Sequence, residues 1–390
     1  MIRTLFIFGT RPEAIKLCPV IRHMRSRPDE FEVRVCVTAQ HREMLDQVLN
    51  VFEVYPDRDL DIMSPGQTLY QSTSRIIAAL ETVLAEEKPD FVLVQGDTTT
   101  TLCGALTAFY ARIPIGHVEA GLRTGDLENP FPEELNRVLT TKMSNLHFAP
   151  TQSAANNLLS EEVPIERVMV TGNTGIDALL YTRGKLEEGN WRELELNQVA
   201  PDKRLILITA HRRESFGGGL ERICDAVKRI ASRGDVEIFF PVHPNPNVRT
   251  VVEKKLKNIA AVHLVDPLDY VPFVDLMRRA CIILTDSGGI QEEAPSLGVP
   301  VLVLRSKTER QEAVEAGTAE LVGTDPDLIV LHVNRLLSST LQKAGKRVLP
   351  NPFGDGQASV RIANALLHYI GQSPPVIREQ EDQWAASCRE

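Results

Sequence analysis

Short apolar runs alternate with longer segments of helical period from one end of the chain to the other. The runs are RTLFIFG (3–9), FEVRVCVTA (31–39), FVLVQGD (91–97), IPIGHVEA (113–120), LHFAPT (146–151) and VMVTGNT (168–174). After a charged, irregular stretch around 184–203 the rhythm restarts with RLILITAH (204–211), VEIFFPVH (236–243), AVHLVDP (261–267), CIILTDS (281–287) and VPVLVLR (299–305). Continuous apolar strands separated by helices predict parallel sheets covered on both faces. Two such series in a row predict an α/β protein of two doubly wound, Rossmann-like domains facing a central cleft. The expected domains are residues 1–171 and 172–356. ASVRIANALLHYI (358–370) reads as an amphipathic helix beyond them, and residues 372–390, rich in Pro, Glu and Gln, read as a loose tail.

Composition narrows the class. A length of 390 residues suits two domains, and 43% hydrophobic with 24% charged residues suits well-filled cores. A formal net charge of −9 argues against nucleic-acid or membrane-surface partners but leaves room for a local basic pocket. The N-terminal run MIRTLFIFGT is too short for a signal peptide or a spanning helix, and no other run approaches spanning length. Six scattered cysteines without a CxxC pair read as small buried hydrophobes in a reducing cytoplasm.

In an open parallel sheet, ligands bind beyond the carboxyl ends of the strands. The first end, FGTRPEAIK, holds one glycine, so it is no dinucleotide fingerprint. It reads either as a helix cap with a Glu13–Lys16 surface pair or as an anion site with Arg11 and Lys16. Asp97 in QGDTTTT is either a helix cap or a functional carboxylate. Glu119 in HVEAGLRTGD sits at the end of an apolar strand, where a carboxylate implies a salt bridge or chemistry. Glu133 and Glu134 open a helix, and the helix dipole accounts for one of them. In the second half, ITAHRRESFGGGL pairs His211, Arg212 and Arg213 with three glycines, a phosphate signal. His243 reads as a structural histidine. TDSGGIQEEAP offers Ser287, Gly288 and Gly289 to a phosphate, with Glu292 and Glu293 one turn further in for ribose hydroxyls. No close-spaced His and carboxylate set suggests a metal, and the DLD at 59–61 reads as solvated surface.

Taken together, FGTRPEAIK, TAQHREMLDQVL, GDTTT, HVEAGLRTGD, PEELNR, TGNTGIDAL, HRRESFGGG, PVHPNPNVR and LTDSGGIQEEAPSLGVPVLVLR resemble the non-hydrolysing UDP-N-acetylglucosamine 2-epimerase family, in order over roughly residues 1–356. The resemblance implies a glycosyltransferase-B-type fold whose last helix, 357–371, crosses back to the first domain. It also implies a cytoplasmic homodimer supplying UDP-N-acetylmannosamine for surface polysaccharides. It implies Asp97, Glu119, Glu133 and His211 as catalytic residues. UDP would be held by Arg11, Lys16, His211, Ser287, Gly288, Gly289, Glu293 and Arg310, with Phe273 on the uracil and Leu268 nearby. Some members carry Gln where this chain has Glu43 and Arg where it has Gly66. Those positions contribute to a second, regulatory substrate site, of which Gln40, His41 and Glu134 are retained here.

Inverting carbon 2 of such a sugar needs a route around a very weakly acidic proton. Oxidation at carbon 3 needs a nicotinamide cofactor, and the fingerprint for one is missing, so no cofactor is expected. Elimination of UDP to a 2-acetamidoglucal and its re-addition fits the carboxylates and cations at the strand ends. A hydrolysing epimerase and a glycosyltransferase of the same fold remain alternatives.

Overall fold

The computed structural model describes residues 1–38, 42–62, 64, 66–191, 202–212, 216–338 and 350–372. Gln40, His41, Arg213 and all of the expected tail except Gln372 lie outside these residues, as does the side chain of Glu43.

Strands β1 (Ile2–Phe8), β2 (Phe31–Val37), β3 (Arg58–Asp59), β4 (Phe91–Gln95), β5 (Ile115–Val118), β6 (Leu146–Ala149) and β7 (Val168–Val170) form one sheet. Its order is β3-β2-β1-β4-β5-β6-β7, and its pairings are parallel. A second parallel sheet contains β8 (Arg204–Thr209), β9 (Val236–Pro241), β10 (Val262–Val265), β11 (Ile282–Thr285), β12 (Val301–Val303) and β13 (Ala319–Leu321), ordered β10-β9-β8-β11-β12-β13. In each sheet the winding reverses beside the first strand, between β1 and β4 and between β8 and β11. Those two points are where a doubly wound sheet opens a crevice.

Alternation along β1 shows why both faces are covered. Leu5 and Ile7 join the apolar cluster on one side of the sheet. Phe6 and Phe8 join a larger cluster on the other side, which continues through Phe52, Tyr270 and Leu207 into the second domain. Full burial of each such side chain is worth about 1.5–3 kcal/mol, so a run with no polar position suits only a strand enclosed twice.

Helices set the loops at these strand ends. Thr10 caps helix Arg11–Arg25: its side chain accepts from Glu13 N–H, the Glu13 carboxylate accepts from Thr10 N–H, and Pro12 stands in the first turn. Helix Ala358–Gln372 returns to the first domain and packs on Arg11–Arg25, where Arg27 donates to Asn364 at 2.9 Å. Its start is fixed by Asp177, which accepts from Ser359 N–H at 2.8 Å. The domains also meet where Phe52 stacks on Tyr181 and tilts toward Tyr270.

The sequence pattern misses β3 and β13, whose residues RD and AEL carry no apolar run. Asp59 of the DLD stretch lies in β3 and is exposed, as is Asp61. The remaining expected strands are present but end earlier, because their last polar residues belong to the loops that build the site.

Candidate functional site

The first crevice is held together from behind by Glu13. Its carboxylate is 1% exposed and accepts from the N–H groups of Gly9 (3.1 Å) and Thr10 (2.7 Å) and from the hydroxyls of Thr98 (2.7 Å) and Thr101 (3.2 Å). One side chain thus joins the loop after β1 to the loop after β4. Burial pushes the Glu13 carboxyl up, against the pull of these donors. Gly9 is required by contact: a Cβ there would lie 2.0 Å from Thr38 Oγ1. The surface pair of Glu13 with Lys16 is therefore absent, because Glu13 faces inward and Lys16 reaches elsewhere.

Lys16 reaches Glu119. Its Nζ is 2.5 Å from both carboxylate oxygens, and Gln95 Nε2 donates to Glu119 Oε2. Glu119 directly follows β5 with a backbone φ of 64°, a left-handed conformation unusual for glutamate. The turn aims its side chain at the end of β4, where Gly96 also has positive φ and leaves room for the carboxylate. Beneath them His117 donates from Nε2 to Gly96 carbonyl at 2.7 Å, and burial lowers its pKa to about 3, so the ring is neutral. Burial pulls the Lys16 ammonium down, but Glu119 and then Glu292 carry it above the ordinary range.

Asp97 is paired with Arg137, and Asn136 donates to its carbonyl at 2.8 Å. Arg137 also reaches Glu134 at 3.0 Å. Glu134, expected at a regulatory site, is 1% exposed, and its other oxygen accepts from Thr124 and Gly125 N–H, both at 3.0 Å. It anchors the loop that follows Glu119. Glu133, on the same first turn, has a buried Oε2 with no partner among the described residues. An unsatisfied acceptor of this kind costs about 1–3 kcal/mol, which a ligand hydroxyl would relieve.

Across the cleft, His211 follows β8 and Asp286 follows β11. Asp286 is fully buried, and its Oδ2 accepts from the N–H groups of His211 and Arg212, both at 2.7 Å. Its Oδ1 lies 3.2 Å from His211 Nδ1. Burial opposes its charge, but His211 and these N–H groups hold the Asp286 carboxyl below its ordinary value. His243 is not a buried structural histidine. It is exposed at the end of β9 and stacks on the His211 ring, with centroids 5.6 Å apart.

Ser287 stands at the N-cap position of helix Gly288–Glu293 and makes no side-chain capping bond. A Cβ on Gly288 would come within 3.1 Å of the Arg310 guanidinium, whereas Gly289 faces open space. Glu292 and Glu293 part company. Glu292 is buried, accepting from Arg310 Nε at 2.6 Å and from Asn173 Nδ2 at 2.7 Å, so it ties the second sheet to the segment entering from the first. Glu293 is pushed up to about 8 by burial and by the neighbouring Glu292 charge, while Lys16 pulls it back. Leu268 and Phe273 lie half-buried at and just before helix Tyr270–Arg279, packed against the shared apolar cluster. Arg11 lines a cavity of about 320 Å³ between that helix and Gln47 and Asn50 of the first domain.

The structure thus joins Lys16 to Glu119 and, through Arg137, Asp97 to Glu134. It sets His211, Ser287–Gly289, Glu293 and Arg310 on the facing loops. Sequence reasoning missed Asp286, Gln95, Arg137 and Asn173. Asp286 was signalled only by standing between an apolar run and two glycines. Its partner becomes visible once β8 and β11 are neighbours.

Among the described residues, no group of three or more His, Cys, Asp or Glu side chains is placed to hold a metal ion. No described helix is long and apolar enough to cross a membrane.

Residues 22–367 match the family model described as UDP-N-acetylglucosamine 2-epimerase. The chain is 55% identical over 369 residues to the UDP-N-acetylglucosamine 2-epimerase of Escherichia coli K12, covering 93% of this chain and 98% of the relative. It is 54% identical to the enzyme of that name from Salmonella typhimurium, covering 94% and 99%. Among solved structures, UDP-GlcNAc 2-epimerase from Neisseria meningitidis bound to UDP-GlcNAc superposes with a TM-score of 0.85 at 49% identity, over 94% of this chain and all of the other. The Methanocaldococcus jannaschii enzyme in complex with UDP-GlcNAc and UDP gives 0.76 at 36% identity, over 94% and 99%.

Proposed function

Because the chain belongs to the UDP-N-acetylglucosamine 2-epimerase family, an isomerase family, we propose that it interconverts UDP-N-acetylglucosamine and UDP-N-acetylmannosamine by eliminating UDP and adding it back. The observation that carries this reading is the Lys16–Glu119 contact, a cation and a carboxylate paired at the mouth of the first crevice.

A base removes the proton from carbon 2 while the bond from carbon 1 to the diphosphate breaks, leaving a 2-acetamidoglucal and UDP. A proton then arrives on the opposite face of carbon 2 as the diphosphate re-attacks carbon 1. Glu119 and Asp97 are the acid–base pair, with Glu133 the third candidate. Carboxylates on separate loops suit opposite ring faces. Charge gathers on the departing diphosphate, where Arg11, Lys16, His211, Arg310, the Ser287 hydroxyl and the N–H groups of Gly288 and Gly289 stabilise it more than in the ground state. Diphosphate competing for Lys16 frees Glu119 from its counter-ion, so the base becomes available only with substrate in place. Glu293 takes the ribose hydroxyls, and Phe273, with Leu268, faces the uracil. Residues 1–171 with the returning helix 357–371 form one body and 172–356 the other, and their closure keeps the glycal from water.

We place the enzyme in the cytoplasm, in supply of surface polysaccharide, and read it as a homodimer. Supporting the dimer, three adjoining helices of the first domain expose large apolar side chains: Tyr70, Phe109, Tyr110 and Leu139.

Purified protein with UDP-N-acetylglucosamine in deuterated water tests the reaction. The expected product is UDP-N-acetylmannosamine with deuterium at carbon 2 and no added cofactor. Free N-acetylmannosamine would favour a hydrolysing enzyme, and no change without an acceptor would favour a glycosyltransferase.

A further inference from the structure

We propose that Asp286 is a positioning residue for this reaction, acting through His211 to aim a protonated imidazole at the departing diphosphate. The inference rests on the UDP-elimination reading above and adds a residue to it.

The geometry is specific. Asp286 is fully buried at the end of β11, beside the winding reversal of the second sheet, where an isolated carboxylate is costly. Its Oδ2 is occupied by two backbone N–H groups, those of His211 and Arg212, at 2.7 Å each. Its Oδ1 is buried, makes no aligned hydrogen bond among the described residues, and lies 3.2 Å from His211 Nδ1. A carboxylate can only accept, so Oδ1 is satisfied when Nδ1 carries the proton and the ring turns slightly into line with it. His243 stacks on the face of the same ring, its plane inclined by 12°. One edge of the imidazole thus faces Asp286 and one face lies against His243, and among the described residues Nε2 is left as the free edge of a side chain 39% exposed.

Chemistry then assigns the task. A neutral ring held this way offers only a lone pair at Nε2, which a diphosphate repels. A ring that takes up one proton as the nucleotide binds offers Nε2–H to the phosphate while Asp286 balances its charge. That hydrogen bond strengthens as the bond to carbon 1 breaks, and the proton returns to solvent on release. Asp286 is fully buried, so its route to the diphosphate runs through the ring. A pure loop brace would need only Oδ2. The free Oδ1 opposite Nδ1 is what a brace alone leaves unexplained.

Asp286→Asn tests this with shape preserved. The amide oxygen can still accept from both backbone N–H groups, but the amide nitrogen faces Nδ1 and favours the other tautomer. The expected result is kcat lower by roughly a hundredfold, as for removal of an oriented donor, with UDP affinity within a few fold of the parent. In a His211→Gln background the same substitution should cost almost nothing further, since its route is gone. An equal loss in both backgrounds would overturn the proposal and leave Asp286 a brace. Should Asp286→Asn not fold, ¹⁵N spectra of the parent bound to UDP decide: His211 protonated at both nitrogens supports it, and an Nδ1 without a proton overturns it. A parent enzyme that turns over no UDP-sugar would sink the elimination reading, an outcome visible before any variant is made.

Discussion

Lys16 Nζ lies 2.5 Å from both oxygens of Glu119, a carboxylate held at the end of β5 by a left-handed backbone turn. The pair puts the candidate base and a candidate diphosphate cation within one contact, so their substitutions should separate. Glu119→Gln keeps the shape and removes the proton acceptor. It should bind UDP nearly as the parent does and lose turnover by roughly 10²–10⁴-fold. Calorimetry with UDP and initial rates measure the two effects, and parent-like turnover would remove Glu119 from the chemistry.

Lys16→Ala should weaken both steps. Losing one positioned donor costs about 3 kcal/mol at the transition state, about a hundredfold in rate. UDP affinity should drop as well, because the cation also meets the bound diphosphate. A variant with normal affinity and normal rate would leave Lys16 only as a neutralising partner for Glu119.

The adjacent glutamates should behave oppositely. Glu292 is bound to Arg310 and Asn173, so Glu292→Leu leaves a largely buried guanidinium with only the exposed Glu309 as counter-ion and should cost about 3 kcal/mol in urea unfolding. Glu293→Gln breaks no such pair and should chiefly weaken UDP binding. Equal stability losses would erase this division.

Glu293 also predicts a pH dependence. Its carboxyl is raised from 4.5 to about 8 in the folded chain, so the folded state holds the proton more tightly than the unfolded one. That contribution to stability is complete below about pH 4.5 and is lost as pH rises through about 8. The stability difference between the parent and Glu293→Gln should therefore shift against the parent across this window. Parallel curves would show that Glu293 ionises at its ordinary value.

Phe109→Glu places a charge on the exposed apolar helices of the first domain. If the proposed homodimer forms through this face, sedimentation should show the variant as a monomer while UDP binding persists. An unchanged dimer would move the contact to another surface.

What the sequence revealed follows from which interactions are local. Strands enclosed on both faces announce themselves by unbroken apolar runs, so the two doubly wound sheets were legible, whereas the short pairs at β3 and β13 were not. Loops rich in Gly, Arg and His at strand ends marked the side of the site proposed to hold the nucleotide. Roles fixed by distant partners were hidden. Glu13 looked like a surface neighbour of Lys16 until the loops after β1 and β4 came together around it. Glu292 and Glu293 are indistinguishable in sequence, and only Arg310 and Asn173, reaching in from elsewhere in the chain, tell them apart. Likewise His243 read as structural until β9 brought it onto His211.

The departure and return of UDP is tested most directly by oxygen labelling. Substrate carrying ¹⁸O in the bridge between carbon 1 and the β-phosphorus is incubated with the enzyme and recovered during epimerisation. If the bond to carbon 1 breaks and re-forms, the label moves into non-bridging positions of the β-phosphate at a rate comparable with inversion, and ³¹P spectra show it. Inversion at carbon 2 with the label still wholly in the bridge would contradict elimination and require a route that leaves UDP attached.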